Sequence, residues 1–311
     1  MCSDKKYDLA IIGGGPAGYS AALYAARANL DVIVFEQGMP GGQIATTDII
    51  DNYPGIPNIS GSGLGDAMRS HAEDAGAHTE YAMVTKILEH GDFTIETSVG
   101  PFESRALIMA TGATPRPGGF NREDEYRGRG VSYCATCDGM FYRGKQVFVI
   151  GGGNSAVEEA LHLSKIADQV TMVVRRDKFR ASPGLVSKLM EAENISIRFN
   201  TSIVAVSGNQ LLTSITFNDN ISNDRYIEEM PEGSFGIFVF TGMNPVTDLV
   251  GGMVEFGIDG GVLTDENMAT KTPGLYCAGD IRSKSLRQVI TAASDGAIAA
   301  MSAYRYLDQS A

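Results

Sequence analysis

A glycine turn of the form G-x-G-x-x-G/A occurs twice in this chain, at Gly13–Gly18 and again at Gly151–Ala156, 138 positions later. In the first copy the apolar run Tyr7–Ile12 predicts a strand, a small-residue helix follows through Asn29, and a second strand, Asp31–Phe35, ends in Glu36. Strand, turn, helix, strand and terminal acid in that order describe a βαβ unit that binds a dinucleotide. Gly13 permits the tight turn, Gly15 lets the backbone approach a pyrophosphate, and Gly18 lets helix and strand pack closely. Pro16 and Ala17 open the helix, whose free N–H groups face the phosphates. The Glu36 carboxylate is placed to accept hydrogen bonds from ribose hydroxyls.

The second copy runs from the strand Gln146–Ile150 through Gly151-Gly152-Gly153-Asn154-Ser155-Ala156 into a helix to about Ala167, then the strand Val170–Val174. With Gly13 laid on Gly151, Glu36 falls on Val174, so the ribose-binding acid is missing. Arg175 and Arg176 follow at once, with Arg180 just beyond. Arginines where an acid would sit suit a 2′-phosphate. A solvated basic loop is the alternative, and the position within the repeat argues against it. Two sites of different character predict FAD in the first and NADPH in the second, the latter on Gly151, Gly153, Asn154, Ser155, Ala156 and the three arginines.

A third landmark lies near the C-terminus, where an apolar strand ends in Gly279-Asp280 and a helix, Gln288–Arg305, follows. Beside a flavin, Asp280 can hold a ribityl hydroxyl and the helix start can face the electron-rich end of the ring. Flavin elements at both ends of the chain, with the NADP repeat between them, place one domain inside the other. The predicted fold class is therefore α/β, with two Rossmann-like nucleotide-binding domains and the NADPH domain inserted into the FAD domain. The expected segments are 1–114 and 247–311 for FAD and 115–246 for NADPH. The crossings are Thr111–Pro117 and Thr241–Pro245, two Gly/Pro-bearing segments after apolar strands that make a plausible hinge.

Among the four cysteines, Cys134 and Cys137 form a Cys-x-x-Cys just before the second repeat. Two intervening residues let the sulfurs bridge in a turned segment. A thiol at a helix start has its thiolate stabilised by backbone N–H groups, and Asp138 alongside can shuttle a proton. Four cysteines are too few for a disulfide-stapled secreted domain, and none of the four histidines is ligand-spaced to the pair, so a metal site is not expected. Cys2 reads as a frayed terminal residue and Cys277 as a small buried apolar one. The net charge of -12 disfavours nucleic acid and anionic membrane as partners. The N-terminal segment shows neither an apolar signal core nor a cleavage site, and no run of about 18 apolar residues occurs, so a cytoplasmic enzyme is expected.

Taken together, Gly13–Gly18, Gly41-Gly42-Gln43, Asp51-Asn52-Tyr53-Pro54-Gly55, Ala110-Thr111-Gly112-Ala113, Cys134–Gly139, Gly151–Glu158, Arg175-Arg176-x-x-x-Arg180 and Gly279-Asp280…Leu286-Arg287-Gln288 resemble the low-molecular-weight, bacterial-type thioredoxin reductases almost end to end. The resemblance implies FAD, NADPH, a homodimer and thioredoxin as acceptor, with electrons passing from NADPH to FAD to the Cys134–Cys137 disulfide. It implies that Cys137 faces the flavin, Cys134 is the interchange thiol and Asp138 the acid/base. Gly42, Gln43, Asn52, Thr111, Gly112, Asp280, Arg287 and Gln288 would line the FAD. It further implies a rotation of the NADPH domain that brings nicotinamide and disulfide to the flavin in turn. Val174 stands where the family usually has His, which bears on the strength of NADP binding more than on its selectivity. Asn154 stands where Asp is common. The rival readings are the same chemistry with another acceptor protein, a flavin enzyme fed by ferredoxin, and a non-catalytic flavoprotein, the last disfavoured by the intact Cys134/Cys137/Asp138 set.

Overall fold

A computed structural model describes residues 5–47 and 49–309. Cys2 lies outside the described residues. The chain divides into two compact units, one formed by residues 1–114 with 244–311 and the other by 115–243.

In the first unit the strand Lys6–Ile12 pairs in parallel with Val32–Glu36 on one side and Gly100–Met109 on the other. His78–Tyr81 extends the sheet beyond Val32–Glu36. The strand Gly100–Met109 changes partners along its length. Its first half pairs antiparallel with Phe93–Thr97, and its last residues pair in parallel with Leu275–Cys277. Parallel strands must be covered on both faces, and two apolar clusters do this, one around Leu9, Ile11 and Val34 and one around Ala10, Ile33 and Phe35. Alternation along each strand divides its residues between the two.

The helices Pro16–Arg27 and Val289–Gln309 pack together through small residues. A Cβ at Gly296 would lie 2.0 Å from the Ala17 carbonyl oxygen, so glycine is what permits this approach. The C-terminal helix runs four residues beyond the expected Arg305. Leu307, which is buried, belongs to that added turn.

The second unit repeats the plan. Its five-stranded parallel sheet runs in the order Ile195–Arg198, Gln169–Val173, Gln146–Ile150, Phe235–Val239, Val131–Ser132. The helix Asn154–Leu163 leaves the glycine turn and stops sooner than Ala167. A three-stranded antiparallel sheet, Thr201–Gly208, Leu212–Asp219 and Arg225–Glu229, adds a layer that the sequence reading did not describe. Phe148 joins the two layers by packing against Phe217 and Phe235.

The crossing segments run side by side as a two-stranded ribbon, Ala113–Pro115 with Met243–Pro245. Thr114 Oγ1 donates to the Asn244 carbonyl (3.5 Å), and the Arg116 N–H donates to the Gly242 carbonyl (2.9 Å).

Candidate functional site

The two glycine turns are alike at their first and third glycines. Gly13 (φ +106°) and Gly151 (φ +147°) both lie in the region that favours glycine, and a Cβ on either would sit 2.5 Å from a carbonyl oxygen, of Ala110 and Phe240 respectively. Gly15 and Gly153 each take the N-cap position in extended conformation with no side-chain cap, leaving the first N–H groups of the helix for a ligand.

At the end of the second strand the copies part. Glu36, buried at the tip of Val32–Glu36, accepts the N–H groups of Gly14 and Gly38, both at 2.7 Å. It therefore braces the glycine turn, a task the sequence reading did not assign. Its counterpart Val174 is 3% exposed, and a Cβ on Gly152 would meet its Cγ1 at 3.0 Å. The Gly152 carbonyl instead accepts the N–H of Arg180 (2.7 Å), Asn154 Oδ1 accepts the N–H of Ser182 (2.8 Å), and Asn220 Nδ2 donates to the Arg175 carbonyl (3.0 Å). The arginine loop is thus pinned by its own backbone, with its side chains left to line a cavity of about 290 Å³. Arg116 and Lys178 line the same cavity beside Arg175, Arg176 and Arg180. Sequence reasoning missed both: Arg116 comes from a crossing segment, and Lys178 was passed over inside the loop. Five basic side chains around one cavity, in a chain of net charge -12, suit a polyanionic ligand such as a phosphorylated dinucleotide.

The other residues expected to line FAD lie in the first unit. Thr111 and Gly112 follow the strand Gly100–Met109, and both bond Val246, the first through its hydroxyl (2.7 Å) and the second through its carbonyl (3.0 Å). Gly42 and Gln43 begin the 3₁₀ turn Gly42–Thr46, and a Cβ on Gly42 would come 3.4 Å from the Gly15 Cα. Asn52 Nδ2 donates to Gln288 Oε1 at 3.1 Å. Gly279, also at positive φ, begins the 3₁₀ turn that presents Asp280, and its Cα faces Ala17 of the glycine-turn helix. Asp280 Oδ1 and Arg287 Nε are buried with no hydrogen-bond partner. Burial pushes the Asp280 carboxyl upward, against the pull of Lys284 and Arg287. A buried polar atom left unpaired is costly, and a ligand hydroxyl would satisfy it. The residues present therefore fit a flavin dinucleotide.

Cys134 and Cys137 form a disulfide with their Cα atoms 5.3 Å apart. Cys134 caps the short helix Ala135–Asp138, and the N–H of Cys137 donates to its sulfur at 3.2 Å. Ser132, to which the sequence analysis gave no role, is buried. Its hydroxyl donates to Asp138 Oδ2 (2.6 Å) and accepts the Cys134 N–H (3.1 Å). A serine near a cysteine carries no pattern by which sequence reasoning could have found it. Cys277 is buried and free, with burial pushing its thiol up to about 12. It takes no part in this chemistry.

Residues 7–296 match the model of the pyridine nucleotide-disulphide oxidoreductases. The chain is 40% identical to a thioredoxin reductase of Listeria innocua, over 99% of this chain and 97% of that protein. It is 39% identical to one of Bacillus subtilis, with 99% and 97% covered. The crystal structure of thioredoxin reductase from Streptococcus pyogenes is similar with a TM-score of 0.91 at 40% identity, covering 99% of this chain and all of that one. The chain belongs to the pyridine nucleotide-disulphide oxidoreductase family, among the thioredoxin reductases.

Proposed function

We propose that the chain is an NADPH-dependent flavoprotein disulfide reductase that delivers electrons through Cys134 and Cys137 to oxidised thioredoxin. The observation that carries the reading is the disulfide on a helix N-cap in a chain with two dinucleotide turns, one ending in Glu36 and one in arginines. FAD belongs to the first unit and NADPH to the second. A flavin, when bound, supplies a carrier that accepts hydride from reduced nicotinamide and passes two electrons to a disulfide.

The chain's own residues account for the remainder. Once the pair is reduced, the Cys137 N–H stabilises a thiolate on Cys134, which makes Cys134 the attacking thiol. Its sulfur bonds to one sulfur of the acceptor disulfide and the other leaves as a thiolate. Asp138, oriented by Ser132, supplies the proton that this leaving thiolate takes. The Cys137 thiol then gives its proton to the Asp138 carboxylate and attacks Cys134 in the mixed disulfide; the intramolecular bond re-forms, and the second acceptor sulfur leaves as a thiolate that takes that proton, releasing the acceptor as a dithiol. The protein acts as a homodimer in the cytoplasm, where thiol exchange runs in the reducing direction.

The test is to purify the protein, record its flavin spectrum, and measure turnover of a panel of thioredoxins with NADPH and with NADH. A yellow protein that reduces at least one thioredoxin with NADPH supports the reading. A protein that stays colourless with added FAD, or that reduces no thioredoxin, overturns it.

A further inference from the structure

Beneath the Gly279-Asp280 turn lies a group of charges that neither the glycine turns nor the dithiol uses. Asp295, on the helix Val289–Gln309, is 7% exposed. One of its oxygens, Oδ2, accepts the Gly279 N–H at 3.1 Å and Lys284 Nζ at 2.7 Å, and forms an ion pair with Arg282 Nη1 at 2.9 Å. Arg282 is held a second time, its Nε donating to Thr264 Oγ1 at 2.7 Å. Arg287 pairs with Asp259 at 3.2 Å. Asp280 sits among these groups, near both Lys284 and Arg287, with its Oδ1 buried and unpartnered. The cluster holds three carboxylates, Asp259, Asp280 and Asp295, against three cations, Arg282, Lys284 and Arg287.

We propose that Asp295 is a positioning residue of the flavin site: by holding Lys284, Arg282 and the Gly279 N–H on one oxygen, it keeps the Asp280 carboxylate uncommitted for the ribityl hydroxyls of FAD. Two effects combine. The bond to Gly279 fixes the turn that aims Asp280. The ion pairs occupy Lys284, one of the two cations that act on Asp280, which otherwise gains more by pairing with Asp280, since a buried charge without a partner is strongly unfavourable. Without Asp295 the cluster carries one excess positive charge, and Lys284 turns to the carboxylate that remains. The inference rests on the flavin reading. A wild-type protein without flavin overturns that reading itself, whereas the outcomes below concern Asp295 alone.

The experiment measures FAD release from the holoenzyme by dilution, followed by the fluorescence of free flavin. Asp295→Asn keeps the shape and an acceptor for Gly279 but loses the charge, and it is expected to weaken FAD at least tenfold. Asp295→Asn with Lys284→Met restores neutrality, and affinity is expected to return to within about threefold of wild type. This double variant also guards against a single variant that folds poorly, because it leaves no excess charge: Arg282 and Arg287 remain against Asp259 and Asp280. In an Asp280→Ala background Asp295→Asn should add less than a twofold effect, since it acts through Asp280; a purely structural role would add its full cost. Unchanged affinity in Asp295→Asn, failure of Lys284→Met to rescue, or full additivity with Asp280→Ala would each overturn the proposal.

Discussion

The two glycine turns are alike at their first and third glycines and differ in what closes the site. At the first, one carboxylate has two jobs, one observed and one proposed: Glu36 accepts the Gly14 and Gly38 N–H groups, and in the proposed function it would also hold the ribose. At the second those jobs are separated. Backbone and amide contacts from Arg180, Ser182 and Asn220 secure the loop, and the charged side chains are left for the ligand. Replacing one acid by one valine thus needs a new set of fastenings around it.

The helix start offers the strongest way to break the parallel. A Cβ on Gly18 would lie 1.8 Å from the Gly13 carbonyl oxygen, whereas the second copy already carries the buried Ala156 there. Gly18→Ala is expected to destabilise by about 3 kcal/mol or more and to abolish FAD retention. Ala156→Gly should cost only about 1 kcal/mol. Thermal unfolding with flavin release as the readout checks both, and similar losses in the two variants would show that the helices leave their turns differently from this structure.

Next in size is Arg175→Ala with Arg176→Ala. Each charge-assisted bond to a 2′-phosphate contributes about 1.5–3 kcal/mol, so kcat/KM for NADPH should fall by roughly a hundredfold or more, with that for NADH nearly unchanged. Equal losses with both nucleotides would mean that the arginines do not read the phosphate. Val174→Glu carries the first copy's acid into the second. It should let Gly152 find the acceptor that Gly14 has, and lower the NADPH-to-NADH preference by about tenfold, the arginines remaining in place. An unaltered preference would detach nucleotide choice from this position. The smallest effect is expected from Asn154→Ala, which removes the acceptor for Ser182. It should cost about 1 kcal/mol of stability and raise the KM for NADPH a few-fold while flavin binding is untouched. A stronger effect on FAD than on NADPH would contradict the loop-pinning role.

Much of this was legible because the signals are local. Gly13, Gly151 and the Cys134/Cys137 spacing each state a backbone requirement within a few residues of chain, so the doubled α/β plan could be read directly. What escaped depends on contacts between distant segments. Asp295 meets Gly279, Arg282 and Lys284 only because a loop returns onto the helix, and in sequence it reads as one more polar residue of that helix. Arg116 joins the arginine cavity from a crossing segment. The strands from Thr201 to Glu229 alternate too weakly beside the glycine motifs to be noticed. Ser132 is a different case: its hydroxyl bridges Cys134 and Asp138 within seven residues of chain, but a serine near a cysteine carries no pattern of its own.

The paired crossing segments also bear on how such a chain can fold. The first unit must close around an insertion of about 130 residues, and an open loop of that length costs some 3–4 kcal/mol more than a tight turn, at about 0.6 kcal/mol per doubling. Once residues 115–243 have folded, the bond from Arg116 to Gly242 holds the two ends together. Thr114 and Asn244 then meet as though only a hairpin lay between them. An inserted unit that folds early lowers the entropic barrier of its host, because its own ends already stand where the host needs them.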